Sequence, residues 1–261
     1  MLTLGFIGTG NMGSALARAA AKNEDNHLLL SNRSPEKAEA LALELNADAT
    51  DNFGVIGADY VFLGVKPNML KEVLLPLQHS LSVWKTPAIL VSMAAVTPIE
   101  RVKEYSGGVN PVIRIMPNTP VAIGRGVILY CCSEDVTAQQ EETFLRAMSA
   151  AGRFIKVEEK YIDAGACISG CGPAFVDLFV EALADGGVAC GLPRSLALEL
   201  AAAMTSGSAD LIVETGKHPA RLKDEVCSPG GTTIRGVYAL EEGGFRASVM
   251  SAVMAAFGKG K

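Results

Sequence analysis

No two cysteines of this 261-residue chain are spaced as C-x-x-C, and its three histidines, His27, His79 and His218, are scattered. The six thiols, Cys131, Cys132, Cys167, Cys171, Cys190 and Cys227, therefore read as free cysteines of a reducing compartment. Cys167 and Cys171 have the spacing of one helix face, but no ligand pattern supports a metal, and none is expected. A basic footprint is also missing. The formal net charge is −5 and like charges do not run together, which argues against a nucleic-acid partner. No stretch approaches the ~20 uninterrupted apolar residues of a membrane helix. The longest candidate, 182–203, is broken by Asp185, Gly191, Pro193, Arg194 and Glu199. The apolar start is cut short by Gly8-Thr9-Gly10-Asn11 and no Lys or Arg precedes it, so it does not read as a signal peptide. A cytoplasmic protein without a membrane partner is expected.

What is present is an ordinary globular composition, 49% apolar and 20% charged, long enough to bury a core unaided. In the first half, short apolar runs alternate with helical stretches. Strands are expected over 2–8, 27–31, 59–65, 88–92, 112–116, 126–130 and 154–157, with helices over 12–22 and 35–45. Runs such as DYVFLGV and AILVS suit a mostly parallel, doubly wound α/β sheet covered on both faces. From Tyr161 onward no strand is expected. Helices are read over 175–190, 195–215, 232–242 and 245–257, punctuated by glycine and proline. The chain therefore divides into a dinucleotide-binding domain, 1–158, and an all-α domain, 159–261.

Gly8-Thr9-Gly10-Asn11-Met12-Gly13 matches G-x-G-x-x-G. The pattern alone is weak; here it follows a strand and opens a helix, the context that pyrophosphate binding requires. Gly8 permits the turn, Gly10 lets the phosphates approach the backbone, and Gly13 lets the helix pack on the sheet. The end of the second strand decides the nucleotide. A NAD enzyme commonly places Asp or Glu there, against the ribose 2′-hydroxyl. This chain has Ser31-Asn32-Arg33-Ser34, with Lys37 one turn on. No acid repels a 2′-phosphate and Arg33 offers it a planar fork, so NADP(H) is favoured, with NAD(H) possible. Arg33 and Lys37 equally suit a solvated surface. Gly64-Val65-Lys66-Pro67 and Met93-Ala94-Ala95 end two further strands at the same sheet edge, where small residues leave room for a nicotinamide ribose. Lys66 also suits the exposed start of a helix.

Ser228-Pro229-Gly230-Gly231-Thr232-Thr233 is the most specific stretch. Ser228 is a good N-cap and Pro229 a good first helical residue. The N–H groups of Gly230, Gly231, Thr232 and Thr233 would then cradle a small carboxylate. An ordinary capped helix is the alternative, although two glycines in a first turn weaken it.

Together these motifs resemble the pyrroline-5-carboxylate reductases along the whole chain: GFIGTGNMG at 5–13, VKP at 65–67, RIMPNTP at 114–120, SGCGPAF at 169–175, HPARLKDEVCSPGGTTI at 218–234 and LEEGGFR at 240–246. Cys171 and Glu225 depart from it, since the family often has Ser at the first and an amide at the second. The resemblance implies a Rossmann domain followed by a helical domain that interlocks with its twin in a homodimer, associating to decamers in some members. It implies reduction of 1-pyrroline-5-carboxylate to L-proline by NAD(P)H, the last step of proline biosynthesis. It adds Ile7, Thr9 and Asn52 to the cofactor set. It assigns Thr233 to the ring nitrogen and the backbone around Gly231 and Thr232 to the carboxylate. It also places Glu159 beside the ring, where a surface acid before a helix is the plainer account.

Hydride transfer to a protonated imine is mainly a problem of orientation, because the cofactor carries the chemistry. β-Hydroxyacid dehydrogenases and ketopantoate reductases join similar domains, but use a lysine of the helical domain as acid or base. This chain has no lysine between Lys160 and Lys217, which counts against them. Deazaflavin-dependent NADP reductases resemble the first domain without explaining SPGGTT. A non-catalytic NADP-binding sensor is the rival from another class, distinguished by binding NADPH without oxidising it.

Overall fold

A computed structural model describes residues 1–83 and 87–258. Contacts divide the chain into two compact units, Met1–Gly170 and Cys171 onward.

The first unit opens as β1 (Leu2–Ile7), α1 (Asn11–Ala20), β2 (Asn26–Ser31), α2 (Pro35–Leu45) and a two-residue β3 (Asp48–Ala49). It continues through α3 (Asn52–Val55), β4 (Tyr60–Leu63), α4 (Pro67–Leu74), α5 (Gln78–Val83), β5 (Ile89–Ser92), α6 (Ile99–Ser106) and β6 (Val112–Met116). It closes with β7 (Gly126–Cys132), α7 (Ala138–Ala147), β8 (Gly152–Lys156) and α8 (Ile162–Ser169). One eight-stranded sheet runs β3-β2-β1-β4-β5-β6-β7-β8. Every neighbouring pair is parallel except β6–β7, which the short connection through Gly124 (φ +74°) makes antiparallel. The expected doubly wound, mostly parallel sheet is therefore observed.

Successive residues of each central strand serve opposite faces. Phe6, Phe62, Val91 and Ile113 pack with Leu16 and Phe144 on one side. Ile7, Val61, Leu90 and Val112 pack with Leu70 and Leu74 on the other. Burial on both faces explains why these strands read as continuous apolar runs. Phe6 and Phe62 stack across β1 and β4, with ring centroids 4.4 Å apart. The chain moves outward from β1 to β3, then returns to start β4 on the other side of β1. This topological switch point is where an open sheet offers a crevice at its carboxyl ends.

The second unit holds α9 (Gly172–Ala189), α10 (Arg194–Thr215), α11 (Pro219–Val226), α12 (Thr232–Glu242) and α13 (Phe245–Gly258). Helices α9 and α10 pack through Ala184, Ala197 and Ala201, the buried hydrophobic residues of this unit among the described residues. Leu178, Leu198, Leu200, Leu211, Val213 and Met254 stay exposed on it. Within Glu159–Ala189 and Arg194–Thr215, segments of 18 residues reach mean hydropathies of 1.5 and 1.4, enough to cross a membrane by length and composition. That corrects the expectation that no stretch reaches such a length. Isolated acids such as Glu199 do not interrupt a helix, whereas Gly191 and Pro193 do separate α9 from α10.

Candidate active site

The glycine motif forms the turn between β1 and α1. Gly8 has φ +97°, a conformation that side chains strain. Its N–H donates to the Ser31 carbonyl (2.8 Å), while the N–H of Gly64 donates to the Ile7 carbonyl (2.8 Å). A Cβ on Gly13 would collide with the Gly8 carbonyl oxygen, so α1 packs as closely as the motif predicts. A Cβ on Gly10 would meet nothing within 4 Å among the described residues. Gly10 is the N-cap of α1 and supplies no side-chain cap. The N–H groups of Asn11, Met12 and Gly13 thus open the helix without intrahelical acceptors. Beside them, the Thr9 hydroxyl is buried with no hydrogen-bond partner among the described residues. Free donors at a helix N-terminus, an orphaned hydroxyl and open space above Gly10 fit a dinucleotide pyrophosphate.

The adenosine end is built at the edge of β2. The Ser31 hydroxyl donates to the Asn52 Oδ1 (2.6 Å), which ties the end of β2 to the first residue of α3. Asn32 Nδ2 donates to the Ser34 carbonyl (3.2 Å). Ser34 is the N-cap of α2 and its hydroxyl makes no capping bond. Arg33 is exposed. Asp51, next to Asn52, caps Gly54 rather than facing the site (2.8 Å).

Gly64, Val65, Lys66 and Pro67 connect β4 to α4. Lys66 is the exposed N-cap and Pro67 the first helical residue, the plainer of the two expected readings. Met93, Ala94 and Ala95 follow β5. Ala94 is buried, its N–H lies 3.4 Å from the Ser92 Oγ, and Val96 takes a left-handed φ of +54°. The proposed cofactor residues other than Asn52 therefore lie at the carboxyl ends of β1, β2, β4 and β5, and Asn52 joins the end of β2 through Ser31.

Glu159 stands in the first unit, where its carboxylate is engaged. Oε1 accepts the Ile99 N–H at the start of α6 (2.7 Å) and lies 3.3 Å from Arg114 Nη1. Arg114 Nη2 lies 2.6 Å from Asp163 Oδ1. Sequence reasoning passed over Arg114 and Asp163. The signal was a lone guanidinium in the apolar run of β6, which cannot be buried without acids to face it.

In the second unit, the expected N-cap at Ser228 is corrected. The Gly231 N–H donates to the Ser228 carbonyl (3.0 Å) and Gly230 has φ +69°, so Ser228–Gly231 is a type II turn with proline and glycine at its centre. Gly231 is the N-cap, and α12 begins at Thr232. Proline followed by a left-handed glycine closes a turn more readily than it starts a helix. A Cβ on Gly231 would collide with the Ser228 hydroxyl. The Gly231 N–H is spent in the turn, and the donors that open α12 belong to Thr232, Thr233 and Ile234. Glu225 is held by Lys217 Nζ (3.0 and 2.9 Å) and Arg221 Nε (3.2 Å), and the Lys217 bond holds its carboxyl below the usual range.

The pyrroline-5-carboxylate reductase dimerisation family matches residues 159–261, and the family of coenzyme F420-dependent NADP oxidoreductases matches residues 3–96. A pyrroline-5-carboxylate reductase of Glycine max is 41% identical over 97% of this chain and 93% of its own length. One from Escherichia coli is 36% identical over 96% and 94%. The crystal structure of the Plasmodium falciparum pyrroline carboxylate reductase with NADP bound has a TM-score of 0.88 and 32% identity, and covers 100% of this chain and 97% of that one.

Proposed function

Because this chain belongs to the pyrroline-5-carboxylate reductase family, we propose that it reduces 1-pyrroline-5-carboxylate to L-proline with NADP(H), the last step of proline biosynthesis. The turn Ser228–Gly231, which presents the N-terminus of α12 with Thr233 in its first turn, is the observation that carries this reading. It is an anion cradle next to a hydroxyl, which matches a small cyclic imine bearing a carboxylate.

When bound, the nicotinamide supplies the hydride. The residues of the chain bind and orient. The N–H groups of Asn11, Met12 and Gly13, with Thr9, hold the pyrophosphate. Arg33, with Asn32 and Ser34, receives the 2′-phosphate, and Asn52 and Ser31 frame the adenosine ribose. The backbone of Gly64–Pro67 and Met93–Ala95 positions the nicotinamide half. The Thr232 and Thr233 N–H groups hold the substrate carboxylate, with Ser228, Gly230 and Gly231 shaping the turn. The Thr233 hydroxyl bonds the ring nitrogen; it is too weak an acid to serve as a strong proton donor. Glu159 acts near the ring in the reading that the family suggests.

The enzyme is proposed to be a cytoplasmic homodimer. The exposed apolar residues of α9, α10 and α13 support dimerisation through the second unit, since an apolar surface of this extent is ordinarily covered. The experiment is to fractionate the protein by size with light scattering, then follow loss of reduced nicotinamide as pyrroline-5-carboxylate is added, with NADPH and with NADH. Oxidation that yields L-proline in the dimer peak supports the reading. Binding of NADPH without oxidation identifies a sensor, and an active monomer removes the dimer.

A further inference from the structure

We infer that Arg114 is a positioning residue for the cofactor: acting through Glu159, it holds the start of α6 and thereby fixes the Met93–Pro98 turn against which the nicotinamide half rests. The inference depends on the reading just proposed for that turn.

Arg114 lies inside the sheet, 2% exposed, in β6. Parallel pairing sets it opposite Ser92, the last residue of β5. The chain leaves β5 at Ser92, makes the turn 93–98 and enters α6 at Ile99. The entry to this turn is fixed by the sheet. Its exit is fixed from a distance, since the acceptor for the Ile99 N–H comes from 60 residues later, the Oε1 of Glu159 (2.7 Å). Pro98, the N-cap of α6, brings no side-chain acceptor of its own. Glu159 thus does for α6 what Ser or Asp does in an ordinary cap, with the added attraction of a carboxylate for a helix N-terminus.

The Glu159 side chain is 36% exposed, and without Arg114 the Ile99 N–H alone would hold its carboxylate against solvent. Arg114 Nη1 reaches it at 3.3 Å and Nη2 is anchored on Asp163 at 2.6 Å, so one buried cation orients two acids on consecutive elements. Between the two fixed ends, Val96 holds φ +54° without being glycine, and the Thr97 hydroxyl donates to the Ala95 carbonyl (3.1 Å). A turn in this conformation is imposed by its surroundings rather than chosen locally. Removing Arg114 releases Glu159 and strips the Ile99 N–H of its acceptor, which loosens the turn that carries Ala94 and Ala95.

The test compares R114M, R114K, E159A and E159Q with wild type. Hydrogen exchange of the free protein reads the Ile99 amide. Titrations read NADPH and 2′-phospho-ADP-ribose, which lacks the nicotinamide. R114M and E159A should speed exchange at Ile99 and weaken NADPH about tenfold while leaving the nicotinamide-free nucleotide within about twofold. With substrate present, kcat should fall by up to about a hundredfold, as expected when a reacting ring is displaced. R114K and E159Q, which keep a cation or an acceptor in place, should recover part of each loss.

Equal weakening of both nucleotides means that the substitutions loosen the whole domain, and overturns the inference. So does unchanged exchange at Ile99. If E159A raises only the KM for pyrroline-5-carboxylate and leaves NADPH affinity unchanged, Glu159 acts at the substrate alone and the inference also fails. Should R114M not fold, R114K and E159Q decide by the same readouts. A wild-type protein that binds NADPH but leaves pyrroline-5-carboxylate unreduced refutes the substrate reading alone, and the comparison of nucleotides still judges Arg114.

Discussion

Gly8 and Gly64 meet backbone to backbone where β1 and β4 end: a Cβ added to Gly8 would lie 2.7 Å from the Gly64 carbonyl oxygen. The two glycines let neighbouring strands of the switch point finish side by side, leaving the crevice above them open. Gly8→Ala should therefore damage fold and binding together. The φ of +97° alone costs about 1–3 kcal/mol with a side chain, and the contact adds to it. Gly10→Ala makes the contrast, because its Cβ would meet nothing within 4 Å among the described residues. It should melt like wild type while binding NADPH more weakly. Thermal melts and NADPH fluorescence titrations check both. Wild-type NADPH affinity in Gly10→Ala would move the pyrophosphate away from α1.

Arg33 follows β2 directly and is exposed, with no acid at the end of the strand. Arg33→Ala should raise the KM for NADPH much more than that for NADH, and added salt should narrow the difference between wild type and variant. Steady-state rates with both cofactors measure this. An equal rise for the two would take Arg33 out of the 2′-phosphate site.

Thr233 is the second residue of α12, immediately after the turn whose following N–H groups open the helix. Losing one hydrogen bond to the ring nitrogen should cost about 1–3 kcal/mol at the transition state, or roughly 5- to 150-fold in rate. Thr233→Ala should lower kcat while NADPH affinity stays near wild type, and Thr233→Ser should be milder. Normal turnover in the Ala variant would make the hydroxyl a local helix contact only. Collapse of NADPH binding would transfer the residue to the cofactor site.

Glu141 of α7 joins two strands: Oε1 accepts the Tyr130 hydroxyl of β7 (2.8 Å) and Oε2 the Lys156 ammonium of β8 (2.6 Å). Burial pushes its carboxyl up, but the bonds from Lys156 and Tyr130 outweigh burial and hold it below the usual range. A carboxyl depressed by folding adds stability above its unfolded pKa, and that stability is lost as pH falls through the folded value. Glu141→Gln should cost about 1–2 kcal/mol at neutral pH, and the deficit should shrink below about pH 4. Urea unfolding of both proteins across this range checks the sign. A gap that stays constant with pH would show that the charge contributes nothing.

The glycine turn, the missing acid after β2 and the helices α10, α12 and α13 could be read directly, because each depends on a few adjacent residues. Gly8 needs a positive φ, an apolar run needs two covered faces, and α12 begins at Thr232 as its pattern suggests. Membership in a family was also legible, since RIMPNTP and SPGGTT are contiguous words. Local rules went astray at Ser228, where cap and turn signals compete: the proline-glycine pair closes a type II turn and hands the cap to Gly231. Only the tertiary structure could decide that β7 runs antiparallel to β6, or that Glu159 caps a helix 60 residues earlier. It alone set Arg114 beside Ser92 and against two acids. A local conformation is fixed by the residues that adopt it, whereas the partner of a buried charge is fixed by strand register, which no short stretch of sequence contains.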